Sequence, residues 1–582
     1  MSETNSLRPM RLTNVIDPRL ECLEPSQRQM EWGIFKGTEG MNSVAQQANS
    51  YSTAGVTWNF NTQSENVVID RRMYARCQFQ MTFIGTAPTG QVLLNDESDA
   101  PRCLPLASVT QSLKVTINGS SVESQYADAL TGLLRYNLDD QVKEHDLSMS
   151  PSCQDKFQRY VDGVGGVRNP LSNYQNSGTP VVGRGAFVVD SIVNPRSTGA
   201  VDAGGALVPI TAVVTFTVTE PLLLSPMLYK SGDLRSGLIG VKNMGVSFNF
   251  ASGQLARVWS RAQQAGGVTI TSAVAAIGAG TTVPPSLLVT YLTPPLISQS
   301  QIPRQVNYQY YKAETFVNDM NTTLASNVTQ RFTNNSIQLS TVPKCIYIWA
   351  SRANNTKTYE TSDTFFALSN LSLNYLNVAG QFSSMTIQDL YQMCVKNGCN
   401  LSWPEWSGTT FTIGSSITGR SLDGMVGSVI KIDVSDLHIP SNVASGMNVN
   451  SQLGFSVDVT NINQFDGLPV QLTTVLVYDG LMTISNGSMA TQVGVISKSD
   501  VTETRADRDN FVDWKSAHSI YGGSLFSTMG HLAAMGKRGL DAACKIKDSL
   551  GGGGAGGSMI DPSSGRGGAM LSRSQLKSRM FD

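Results

Sequence analysis

The sequence predicts an all-β protein built from two tandem domains of similar size, and three observations carry that prediction. The first is length: 582 residues exceed what one hydrophobic core holds, since single cores stop growing at roughly 250–300 residues. The second is texture. Short β-branched runs are separated by clusters of Gly, Asn, Ser and Pro, as in sandwiches and barrels rather than alternating βαβ units. The third is recurrence: one strand–turn–helix pattern occurs twice, and other strands repeat around it in the same order.

Composition narrows the function classes. Asp, Glu, Lys and Arg make up 15% of the chain and the net charge is −1, which argues against a body that grips nucleic acid by charge alone. A hydrophobic content of 41% separates the chain from disordered sequences. Cys22, Cys77, Cys103, Cys153, Cys345, Cys394, Cys399 and Cys544 are scattered and form no dense framework. The N-terminal Met-Ser-Glu-Thr-Asn-Ser has no basic stretch leading into an apolar one, so the sequence predicts no signal peptide and reduced, intracellular thiols. Asn-x-Ser/Thr triplets, at Asn118, Asn321, Asn327 and Asn486 among others, are then chance. The uncharged stretch between Arg261 and Arg304 is broken by Pro284-Pro285 and filled with Gln, Gly, Ser and Thr; it does not read as a membrane span.

Residues 1–65 read as an N-terminal arm: polar, punctuated by Pro9, Pro18 and Pro25, with Trp32 and Trp58 packing against something else. The first domain covers residues 66–304. Strands are predicted at Val67–Ile69 and around Tyr74, Cys77, Phe79, Met81 and Phe83. Leu113, Val115 and Ile117 alternate with Lys114 and Thr116, the period of a half-buried strand. Asn118-Gly119 supplies a turn with positive φ. Tyr126, Leu130, Leu133 and Leu134 then lie on one face of a helix expected within Glu123–Asn137. From 137 to about 183 the chain is polar and turn-rich, and a loop of that length is normally functional or interfacial. Further strands are predicted at Ala186–Val189, Thr211–Val218, Gly245–Phe250 and Ser286–Leu292.

The second domain, 305–500, repeats this order. The strand around Cys345 answers that around Cys77, and Leu371, Leu373 and Tyr375 answer Leu113, Val115 and Ile117. Ser384 is the expected cap of a helix carrying Ile387, Leu390, Cys394 and Val395 and ending at Gly398. Val429–Val434, followed by Asp436–Pro440, resembles Val218–Pro226; Gly454–Val459 matches Gly245–Phe250; Val475–Tyr478 matches Leu288–Tyr291. Residues 501–582 form a C-terminal arm. It holds an amphipathic helix over 524–550, a Gly-rich spacer from Gly551, and sparse basic residues: Lys537, Arg538, Lys545, Lys547, Arg566, Arg573, Lys577 and Arg579. Docking on protein, a membrane surface or nucleic acid are its three open readings.

Catalytic chemistry is sought without success. His145, His438, His518 and His531 have no metal-ligand partner at i+4, and neither a His-Glu-x-x-His nor a Gly-x-Ser-x-Gly motif occurs. Gly530–Lys537 is a near miss to a phosphate loop, with wrong spacing and Arg538 in place of Ser or Thr. Cys394 and Cys399 read as structural thiols rather than metal ligands. Trp403-Pro-Glu-Trp406 reads as a loop anchor before a sugar platform, and Asp139-Asp140 and Asp507-Arg508-Asp509 as solvated charge before calcium sites. No catalytic, metal or cofactor residue is expected, and an enzyme is the least supported class.

With these residues in place, the chain resembles the double jelly-roll major capsid proteins of the adenovirus and tectivirus-like lineage. The resemblance rests on Ala107–Leu134, with its Leu-Lys-Val-Thr-Ile-Asn-Gly, on Glu220-Pro-Leu-Leu-Leu-Ser-Pro226, and on their second-half counterparts; it covers about 65–500. It implies two tandem eight-stranded jelly rolls standing upright on a shell, with short helical insertions and terminal arms. It implies a homotrimer of pseudo-six-fold outline that tiles an icosahedral virion, with loops such as 137–184 and 305–335 as towers or contacts between subunits. Neighbouring capsomers and minor capsid or penton proteins are the implied partners. An internal membrane or the genome would meet the C-terminal arm. Assembly inside the host cell follows from the missing signal peptide. Two rivals stand beside it: a coat protein with two single jelly rolls of the RNA-virus type, and a carbohydrate-binding protein of two β-sandwiches.

Overall fold

The computed structural model describes residues 11–16, 29–34, 40–136, 149–151, 187–225, 237–293 and 305–493, less short breaks inside these ranges. The first half contains eight principal strands: β1 (Gly40–Gln47), β2 (Gly55–Asn61), β3 (Tyr74–Thr86), β4 (Thr110–Ile117), β5 (Ser120–Gln125), β6 (Ile210–Pro221), β7 (Asn243–Phe250) and β8 (Ser286–Thr293). Hydrogen bonding orders them β1–β8–β3–β6 in one sheet and β2–β7–β4–β5 in the other, which is the jelly-roll connection. Strands Val188–Val193 and Thr269–Ile277 widen the first sheet beside β6 and β3.

The second half repeats the scheme: β9 (Gln305–Leu324), β10 (Thr329–Thr341), β11 (Cys345–Arg352), β12 (Ala367–Tyr375), β13 (Val378–Gln381), β14 (Val429–Asp433), β15 (Asn448–Thr460) and β16 (Leu468–Ser485). Its sheets run β9–β16–β11–β14 and β10–β15–β12–β13, the first order shifted by eight strands. All five strand matches made from sequence join equivalent strands: β3 with β11, β4 with β12, β6 with β14, β7 with β15, and β8 with β16. A finer mark of duplication lies on β7 and β15. A Cβ on Gly245 would stand 2.7 Å from Asn59 Oδ1 on β2, and one on Gly454 would stand 2.6 Å from Asn335 Oδ1 on β10.

Local sequence explains the elements that mark each roll. Asn118 (φ 50°) and Gly119 (φ 85°) make the tight turn between β4 and β5, and Leu113, Val115 and Ile117 are fully buried. Residues 120–125 continue as strand, so the expected helix is confined to α2 (Tyr126–Leu133), after the five-residue α1 (Pro105–Val109). In the second half α3 (Ile387–Lys396) also follows the fifth strand. Its cap is Thr386 rather than Ser384: Thr386 and Asp389 close a capping box, which a Ser three residues before the helix cannot reach.

Three expectations need correction. Residues 40–61, assigned to the N-terminal arm, supply β1 and β2 to the first roll, and Trp58 is fully buried. Residues 305–335, read as a surface loop, are β9 and the start of β10. In both places the strands are rich in Asn, Gln, Ser and Thr, because each half opens on an edge strand whose polar groups meet water. The cysteine match is also one residue out of phase. Cys77 lies in the core with Phe79, Met81 and Phe83. Cys345, opposite Asp433, shares its face with Tyr347 and Lys431, while Ile346 and Ile348 point the other way, opposite Ile432 and Ile430.

Among the described residues no helix is long and apolar enough to cross a membrane. The long loop 152–184, all four histidines, and the C-terminal arm with Lys537, Arg538, Lys545, Lys547, Arg573, Lys577 and Arg579 lie outside the described residues.

Candidate functional site

No group of His, Cys, Asp and Glu that could hold a metal occurs among the described residues. Cys394 and Cys399 are buried and not joined in a disulfide; burial pushes the Cys394 thiol up to about 12. Trp403 and Trp406 belong to a one-turn helix, α4 (Trp403–Ser407), and stack with ring centroids 6.2 Å apart. Trp406 is fully buried and donates its indole N–H to the Val429 carbonyl at 3.1 Å. A ring locked under the protein surface is no platform for a sugar.

What the structure builds with most care is the seam between the two rolls, and it exchanges elements both ways. Tyr308 and Tyr310 of β9, Met482 and Ile484 of β16, and Met489 in the strand after it are buried in the first roll's core. The Tyr308 hydroxyl accepts from Ile239 N–H at 2.9 Å and donates to the Gly237 carbonyl at 3.3 Å. In return, Ala129 of α2 and the nearby Tyr136 are buried in the second core. Gly132 is there because α2 lies flat on an indole: a Cβ would stand 2.7 Å from the Trp349 ring. Tyr136 packs edge-on against Tyr347 at 5.5 Å and donates its hydroxyl to the Val429 carbonyl.

A buried charge cluster closes the seam, between the first roll and the segment joining β11 to β12. Arg102 is fully buried; it donates to Asp363 at 3.0 Å and to the carbonyls of Arg257 at 2.6 Å and Tyr359 at 3.2 Å. Arg257 forms a second ion pair with Asp363. Burial alone would raise the Asp363 pKa, but the Arg257, Arg102 and Lys357 charges outweigh it and hold the carboxyl well below the usual range. The Lys357 ammonium has the converse problem. Burial and the Arg257 charge push it down to about 8, against the pull of Asp363 and Asp128. Nearby, Asp99 receives the Trp259 indole N–H at 3.1 Å and pairs with Arg261 at 3.6 Å.

Glu220 is the other buried anchor. At the end of β6 it accepts the Leu106 and Ala107 N–H groups at 2.8 and 2.9 Å, and so fixes the start of α1. Burial raises its pKa to about 7, against the lowering effect of those donors and of Ser150. Neither Glu220 nor the Asp363 cluster announces itself in the sequence, since a buried carboxylate and a solvated one look alike until the fold pairs them. The seam is made of packing, hydrogen bonds and ion pairs. It locks two like units side by side, which is an architectural task.

Comparison with known proteins agrees. The family described as the Sputnik virophage major capsid protein 1st domain matches residues 10–292, and the major capsid protein V20 C-terminal domain matches 311–480. Capsid protein V20 of Sputnik virophage is 28% identical over 560 residues, covering 94% of this chain and 89% of that protein. Among solved structures, the Sputnik virophage cryo-EM structure superposes with a TM-score of 0.70 at 26% identity, over 88% of this chain and all of that one. The mavirus major capsid protein gives 0.62 at 18% identity, over 80% and 94%.

Proposed function

The chain is a major capsid protein of the double jelly-roll class, and from that premise we propose that three copies associate into a capsomer of pseudo-six-fold outline that tiles an icosahedral shell. The observation that carries this reading is the repeat within one rigidly seamed unit: two rolls of identical strand order per chain give six similar units per trimer. A charge-poor chain suits such tiling, because like-charge repulsion would otherwise accumulate between neighbours.

Partners follow in the same reading. The protein meets itself within and between capsomers, and minor capsid or penton proteins where the lattice changes symmetry. The C-terminal arm, through Lys537, Arg538, Lys545, Lys547, Arg573, Lys577 and Arg579, faces an internal membrane or the genome, and assembly takes place inside the host cell. Residues 137–184 serve as a tower or as a contact between subunits. Imaging the expressed, purified protein tests the proposal. Six-lobed capsomers or closed particles are expected; separate two-lobed single chains at high concentration would overturn it.

A further inference from the structure

In the second roll, α2 of the first roll lies on the outer face of β9, β16 and β11, meeting it at Trp349. That face is the one pointing away from the Ile346, Ile348, Ile430 and Ile432 core. The first roll presents the same face on the equivalent strands β1, β8 and β3; among the described residues it is exposed along β1 and half-buried along β8 at Leu288, Thr290 and Leu292. Strand pairing sets Leu288 beside Ala45, Thr290 beside Ser43, and Leu292 beside Met41. Leu287 and Val289, between them, are fully buried in the core, so the other three point outward. Met41 is 70% exposed and Ser43 and Ala45 are exposed as well. The result is a flat strip of small and apolar side chains, the kind of surface on which a helix can lie close.

The second roll holds a matching helix in reserve. α3 follows the fifth strand of its roll as α2 does in the first, and it packs on its own β14 and β12. Its buried side carries Leu390, Met393 and Cys394. Gln388, Gln392 and Val395, spaced along the opposite side, are exposed, Val395 by 45%. We propose that the strip formed by Met41, Ser43, Ala45, Leu288, Thr290 and Leu292 receives the exposed side of α3 from a second copy of this chain. Within a chain, roll one reaches roll two through α2. Between chains, roll two reaches the next roll one through α3, by the same geometry. Repeating one contact head to tail closes a ring when the rotation allows it, here after six rolls. The strip is more polar than the aromatic face under α2, as befits a surface that must stay soluble until its partner arrives.

The inference rests on the trimer proposed above, and the test separates the two. Ala45→Arg blocks the strip and Val395→Arg blocks the helix; both sites are exposed, so each variant is expected to fold with an unchanged circular dichroism spectrum and melting temperature. Sedimentation equilibrium should give three chains for wild type and one for either variant. Mixed one to one, the intact α3 of Ala45→Arg should engage the intact strip of Val395→Arg, and a two-chain species should appear. A monomeric wild type overturns the trimer itself. A trimeric wild type with trimeric variants, or with monomeric variants that fail to complement, overturns the placement of the contact and leaves the trimer standing.

Discussion

At Asp363 burial and charge pull in opposite directions, and charge prevails. The carboxylate is the shared counter-ion of Arg102 and Arg257. Asp363→Asn should therefore cost about 3–5 kcal/mol by leaving those cations buried without it, read as a lower urea midpoint; a loss under 1 kcal/mol would show that the pairs are screened. Gly132 tests packing instead. Gly132→Val drives its Cβ into the Trp349 ring and should cost about 1–3 kcal/mol or more. Glu220 tests pH. Its folded pKa, about 7, is above its ordinary 4.5, so between these values the folded chain keeps a proton that the unfolded chain gives up. Stability from this group is complete below about 4.5 and is lost as pH rises through 7. Across that window wild type should lose up to about 3 kcal/mol more than Glu220→Gln, which cannot ionise. Parallel pH profiles would contradict the burial of a neutral carboxyl.

At the scale of elements, the turn chemistry was legible and the edges were not. Asn118-Gly119 and the alternation of Leu113, Val115 and Ile117 fixed a turn and a strand from sequence, because φ and period are local properties. Gly119→Val, forced to φ 85°, should destabilise by about 1 kcal/mol or more, measured by thermal melting. β1 and β9 escaped notice because an edge strand half in water needs no apolar run, and Asn, Gln and Ser disguise it as loop. The five strand matches held as strands, since order along the chain survives duplication. The Cys77–Cys345 match failed as a residue match, because a shift of one residue exchanges the two faces of a strand. The seam was the least legible of all. Gly132, Tyr136 and Arg102 acquire meaning only from Trp349, Val429 and Asp363, which lie more than two hundred residues away.

For the whole molecule, the consequence of element exchange is that neither roll is complete alone. A protease site inserted after residue 300 and cleaved under native conditions should leave the halves co-eluting on size exclusion, because Tyr308, Ile484, Tyr136 and the Asp363 cluster hold them without the peptide link. Separation of the halves would mean that the seam is weaker than its burial indicates. The same rigidity lets a chain of two similar units behave as one tile with a fixed angle between them, which a lattice requires. The most direct test of the capsid account is the mass of the intact protein in solution. Sedimentation equilibrium should return three times the 62.6 kDa chain mass; a monomer that persists as concentration rises would contradict it.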